Sequence, residues 1–142
     1  MSGIIRVLLV DGDEATREGL SQMLCSEEGI TVISEVGSGE AALAKARKLS
    51  PDVTIVLASD NMPEEAVIDS ARAIGQKLPT RVIIMAENPI QYVLSAIKAG
   101  AVCLLSNSIS REELLSAIRR INLWFPGSLS SNSTQLSSDT TL

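Results

Sequence analysis

Five short aliphatic runs alternate with helical periodicities along the first 125 residues, and this alternation most limits what the chain can fold into. Residues 4–10, 54–58, 82–85 and 102–105 are almost continuously aliphatic, the pattern of strands buried on both faces. Residues 30–36 are more polar, which fits a strand at the edge of a sheet. Between the runs, Leu20, Met23 and Leu24 share one helical face, and residues 41–49 are rich in good helix formers. A third helix is predicted over 64–78, with Pro63 suited to its first turn. Asn88, Pro89 and Gln91 read as N-cap, N1 and N3 of a fourth helix that Gly100 stops. Ser110 and Glu113 form a capping box ahead of Leu114, Ala117, Ile118 and Ile121 at core spacing. Strict strand–helix alternation predicts a parallel sheet covered by helices on both faces. Ligands of such sheets sit beyond the carboxyl ends of the strands, so the residues just after each strand carry the functional question.

Several chemistries are excluded before those residues are inspected. The chain has no histidine, which removes Ser-His-Asp and Cys-His catalysis and the common zinc ligand sets. A formal charge of −5 and three aromatics (Tyr92, Trp124, Phe125) argue against direct nucleic-acid binding or an anionic membrane surface. No run approaches a membrane span, and the opening residues are too short an apolar stretch for a secretory leader. Cys25 and Cys103, both in apolar contexts, read as buried thiols in a reducing cytoplasm. Residues 126–142 hold six Ser, three Thr and a single acid, a composition expected of a disordered tail or linker after a domain spanning 1–125.

After the first strand come Asp11, Gly12 and Asp13. Two carboxylates here could hold a hard cation such as Mg²⁺. Equally, Asp13 could cap the helix starting near Glu14 through its backbone N–H groups, with Asp11 making local turn bonds.

The residues from Ile5 to Asp11, followed by Arg17, Glu18, Gly19 and Leu20, resemble the opening of a response-regulator receiver domain, of the kind that precedes helix-turn-helix outputs. The resemblance continues through Gly39-Glu40-Ala41, Pro51-Asp52-Val53, Met62-Pro63, Ala99-Gly100-Ala101 and Glu112-Glu113-Leu114, covering about residues 4–122 in order. It implies an α/β, flavodoxin-like (CheY-like) fold with five parallel strands in the order 2-1-3-4-5 and five helices, and a role in two-component phosphorelay signalling. It also implies a phosphoryl-accepting aspartate at the end of the third strand, an acidic pair for Mg²⁺, a hydroxyl after the fourth strand and a lysine after the fifth. A carboxylate nucleophile meeting a highly anionic donor needs that dication and ammonium to offset the charge.

This chain departs from that pattern at each position. Asp11 matches the first member of the acidic pair, but the second is Gly12, with Asp13 one residue late. Counting back from Met62-Pro63 puts Ser59 at the acceptor position; counting forward from Pro51-Asp52-Val53 puts Leu57 there. Asp60 lies between, off the spacing by either count, and also fits a turn or cap ahead of Pro63. The hydroxyl position is Ala86, the lysine position Asn107, and the aromatic switch position Leu104. The expectation is a degenerate pseudo-receiver, not an enzyme, that requires no cofactor and acts by protein–protein contact. The alternative is an atypical active receiver phosphorylated on Asp60, with Mg²⁺ held by Asp11 and Asp13. A small flavodoxin-like enzyme is a poor third reading, since no Gly-rich phosphate loop is present.

In receivers the helix 4–strand 5–helix 5 face, or the helix 1–helix 5 face, commonly docks partners. The resemblance therefore implies a sensor kinase, an output domain or a self-dimer through helices 1, 4 and 5. The corresponding exposed residues are Gln91, Tyr92, Ser95 and Lys98 on the fourth helix and Arg111, Ser116, Arg119 and Arg120 on the fifth, with Trp124 and Phe125 at the fifth helix's end.

Overall fold

In the computed structural model, which describes residues 3–59, 64–101 and 103–123, strand β1 (Ile5–Val10) lies inside a five-stranded parallel sheet. The other strands are β2 (Ile30–Val36), β3 (Val53–Leu57), β4 (Arg81–Ala86) and β5 (Cys103–Ser106), and the order is β2-β1-β3-β4-β5. Each strand falls within one residue of its aliphatic run, because a strand covered on both faces has no polar side to blur its ends. The more polar β2 is an edge strand, as its composition predicts, and a register shift against β1 between Val7 and Leu8 bends it.

The helices divide into two layers. Leu24 of α1 (Glu14–Cys25) and Leu114, Leu115, Ile118 and Ile121 of α5 (Arg111–Asn122) pack with Val7, Leu9, Ile55 and Ile83 on one face. On the other, α2 (Gly39–Leu49), α3 (Glu64–Lys77) and α4 (Val93–Ala99) pack against Leu8, Val10, Val56 and Ile84. Alternate residues of the same strands thus feed opposite cores, as a period of two requires. Between α2 and α3 the helices approach so closely at Gly39 that a Cβ there would run into the Ser70 hydroxyl.

The capping chemistry holds at α5 and fails at two other starts. Ser110 Oγ accepts the Glu113 N–H at 3.1 Å while the Glu113 carboxylate accepts the Ser110 N–H at 3.1 Å; that N–H, then the Ser110 hydroxyl, holds the Glu113 carboxyl below its ordinary pKa. Asp13 occupies the N-cap of α1, but its carboxylate accepts the Thr16 hydroxyl and not a helix N–H. Asn88 makes no side-chain cap either: a 3₁₀ turn, Pro89–Tyr92, precedes α4 in place of a continuous α-helix. With three residues per turn, Pro89 and Tyr92 eclipse on the inner side and Ile90 and Val93 on the outer.

Two sequence expectations are corrected here. Tyr92, placed on a docking face, is buried among Ala96, Ala99 and Ile84, because the 3₁₀ turn rotates it inward; burial, then the nearby Glu64 charge, raises its phenol pKa. Cys25 is exposed, not buried, since the last residue of α1 points away from the Leu24 core; Cys103 on β5 is half-buried. Burial pushes the Cys103 thiol up to about 11, with Arg120 only partly opposing it. Iodoacetamide therefore labels exposed Cys25 well before half-buried Cys103, whose thiolate is disfavoured by its burial. Mass spectrometry of a labelling time course checks this, and equal rates would contradict the burial of Cys103.

Candidate functional site at the carboxyl edge of the sheet

The chain leaves β1 toward β2 on one side and later returns to β3 on the other, so the β1–β3 boundary is the topological switch point. Val10 faces Val56, and Ala86 faces Ser106, which brings the residues after β1, β3, β4 and β5 to one edge. Asp11 is fully buried there. Its Oδ1 accepts the Asp13 N–H at 3.0 Å, the local turn bond open to it from sequence, while Oδ2 is buried without a hydrogen-bond partner among the described residues. Ser59 Oγ, beyond β3, is likewise buried without a partner among the described residues. Leu57 is instead packed in the α1–α5 core, so of the two counted acceptor positions only Ser59 lies past the strand. Asp60 lies outside the described residues, as do Trp124, Phe125 and the 126–142 tail.

Ala86 ends β4 in a buried position, and its carbonyl accepts the Asn107 N–H at 2.9 Å. The hydroxyl and lysine positions are therefore in direct backbone contact, and they carry a methyl and a neutral amide. Leu104 packs against the same core cluster that holds Tyr92.

A Mg²⁺ ion asks for near-octahedral oxygen ligands, commonly one or two carboxylates with waters and phosphate oxygens. Asp11 offers one buried oxygen, Gly12 has no side chain, and the Asp13 carboxylate is engaged by Thr16. Among the described residues no group of three acidic, His or Cys side chains could hold a metal. These residues by themselves do not make the donor set.

Sequence reasoning passed over two residues of this edge. Arg17 donates from Nη1 to the Asp11 carbonyl and sets Nε 3.5 Å from Glu35, placing a guanidinium beside the buried acid. About one turn into α1, it can reach back over the strand end, a signal present in its spacing from Asp11. Ser106 Oγ, opposite Ala86, bonds the Ser108 hydroxyl at 2.8 Å and the Ser108 N–H at 3.1 Å, closing the β5–α5 turn.

On the helical faces, Gln91 and Lys98 are exposed and Ser95 is half-buried. Arg111 and Arg119, though exposed, both hold Glu27 at the end of the α1 layer, Arg119 at 3.2 Å, so their charges are already paired. Arg120 reaches the Ser116 hydroxyl at 3.4 Å.

Residues 7–119 match the response regulator receiver domain family. Among curated relatives, the uncharacterized transcriptional regulatory protein YxjL of Bacillus subtilis is 36% identical over 117 residues, covering 81% of this chain and 53% of that protein. The response regulator GacA of Pseudomonas viridiflava is 33% identical over 122 residues, covering 83% and 55%. The chain thus spans about half the length of these relatives. Of solved structures, the response regulator domain of Thermotoga maritima CheB superposes with a TM-score of 0.76 at 29% identity, covering 85% of this chain and 98% of that one. Among the described residues no helix is long and apolar enough to cross a membrane.

Proposed function

The chain belongs to the response regulator receiver domain family of two-component signalling, and we propose that it works as a phosphorylation-independent pseudo-receiver, by protein–protein contact. The observation that carries this reading is the Ala86–Asn107 contact: the two positions that should supply a hydroxyl and an ammonium meet, and neither supplies one. Gly12 and Ser59 extend the loss to the second acid and the acceptor. On this reading the chain is not an enzyme, needs no Mg²⁺, and meets a sensor kinase, an output domain or another copy of itself through its helices. It makes no direct contact with nucleic acid or membrane, and it acts in the cytoplasm.

The test is a titration with Mg²⁺ and then beryllofluoride, a phosphoryl mimic, followed by backbone amide NMR. No saturable change is expected at Asp11, Ser59, Ala86 or Asn107. A saturable shift there that spreads to α4 and β5 would overturn the reading.

The buried, unpartnered Asp11 Oδ2 favours one competing reading, since such an oxygen is costly unless something meets it. In that reading Asp60 accepts the phosphoryl group and Asp11 with Asp13 holds Mg²⁺. It requires Mg²⁺-dependent uptake of phosphoryl from acetyl phosphate that Asp60→Asn abolishes.

A further inference from the structure

One ridge of α5 alternates cation and apolar side chain every four residues: Arg111, Leu115 and Arg119, with Leu123 at the C-cap. It borders a cavity of about 580 Å³ that Glu27 and Arg120 also line. Two guanidinia converge there on one carboxylate: Arg119 Nη2 lies 3.2 Å from Glu27 Oε1, while Arg111 holds Glu27 Oε2. The Arg120 guanidinium reaches the Ser116 hydroxyl at 3.4 Å, a long contact. The helix dipole accounts for Arg119 and Arg120 in the last turn of α5, but it opposes Arg111 in the first. Although paired, the Arg111 and Arg119 side chains stay 46% and 51% exposed, and Leu123 is 73% exposed beside them.

We infer that this cavity binds a small phosphomonoester of mononucleotide size, whose phosphate takes the place of Glu27 between Arg111 and Arg119. A carboxylate held by two guanidinium forks marks where an anion sits, and a phosphate fits those forks better. It brings a second negative charge and a third terminal oxygen, and arginine recognises both. The Glu27 pairs lie at the surface, where such pairs contribute little, so the carboxylate gives way by turning into water. With Glu27 turned out, three guanidinia face the single remaining acid of the lining, Glu112. A bare phosphate would leave most of the cavity empty, since cavities of several hundred Å³ hold whole small molecules. Leu115 and Leu123 give the rest of the ligand an apolar wall, and a guanidinium such as that of Arg120 stacks on a flat ring. The site shares no residue with Asp11, Ser59, Ala86 or Asn107, so it is a binding function separate from the question of phosphoryl uptake.

Adenosine monophosphate is the probe, titrated into the full 142-residue chain in metal-free buffer and followed by backbone amide NMR. Saturable shifts centred on Glu27, Leu115 and Arg119 are expected, with a Kd below about 1 mM. Glu27→Gln frees both guanidinia and tightens binding roughly tenfold, whereas Arg119→Gln removes one fork and weakens it by about the same factor. Neither side chain belongs to the core, so both variants keep the circular dichroism spectrum of the wild type. No saturation by about 10 mM overturns the inference, as does binding that neither substitution changes. Inorganic phosphate binding as tightly as adenosine monophosphate overturns it too, because Leu115 and Leu123 would then be idle. Adenosine binding as tightly overturns it because the guanidinia would be.

Discussion

A chain carrying Gly12→Asp, Ser59→Asp, Ala86→Thr and Asn107→Lys together binds beryllofluoride in the presence of Mg²⁺, and a chain carrying Ser59→Asp alone does not. The four positions converge on one sheet edge, where Val10 faces Val56, Ala86 faces Ser106, and the Asn107 N–H bonds the Ala86 carbonyl. Position 59 supplies the acceptor, while the second acid's cation, the hydroxyl and the ammonium stabilise phosphoryl charge, and groups of that kind are worth roughly 3–4 kcal/mol apiece where they have been removed singly. Groups that act as a unit are strongly non-additive, so restoring the acceptor alone recovers little.

The same four changes carry a stability signature. Ala86 is buried, and a larger side chain there costs about 1–3 kcal/mol from overpacking. An aspartate at position 59, at the same edge as buried Asp11, adds carboxylates that repel one another until a cation joins them. Without metal, the quadruple variant therefore unfolds at lower urea than the wild type, and Mg²⁺ recovers part of the loss by binding only the folded state. Urea melts with and without Mg²⁺, beside the amide NMR titration, measure both effects. Uptake by Ser59→Asp alone would show that the other three groups are dispensable, and none by the full set would show that Ser59 is not the acceptor position.

The fold was legible because its signals are local and strong. The aliphatic runs of β1 and β4 can hardly sit anywhere but inside a sheet, and the polar β2 announces its edge. The capping box of Ser110 and Glu113 needs only residues three apart, so it was readable and it formed. At Asn88 the same kind of local signal misled, because the chain winds into a 3₁₀ turn; that change of pitch buries Tyr92 and leaves Ile90 outside. Nothing local reveals Glu27 as the anchor of Arg111 and Arg119, which lie 84 and 92 residues away in sequence. At the candidate site, the sequence gives the residue at each compared position but not what stands near Asp11. The reach of Arg17 to its carbonyl depends on how α1 packs over β1.

Ile118→Ala costs about 3–4 kcal/mol of unfolding free energy, a large share of the roughly 5–15 kcal/mol available to a domain. Ile118 is fully buried on α5 and packs with Leu9, Ile55 and Ile83. Truncation there removes transfer energy and leaves a cavity that a sheet fixed by pairing on both sides cannot collapse to fill. Leu94→Ala, on the exposed face of α4, changes stability by no more than about 0.5 kcal/mol when the chain is dilute. The contrast separates the two kinds of hydrophobic residue in this chain: Ile118 holds the sheet to its helices, whereas Leu94 does no work inside one copy. Urea unfolding at low micromolar and at near-millimolar chain concentration checks both. Ile118→Ala loses the same several kcal/mol throughout, while Leu94→Ala stays within about 0.5 kcal/mol of the wild type in dilute solution. A Leu94→Ala loss of several kcal/mol in dilute solution would mean that α4 is covered by the chain itself.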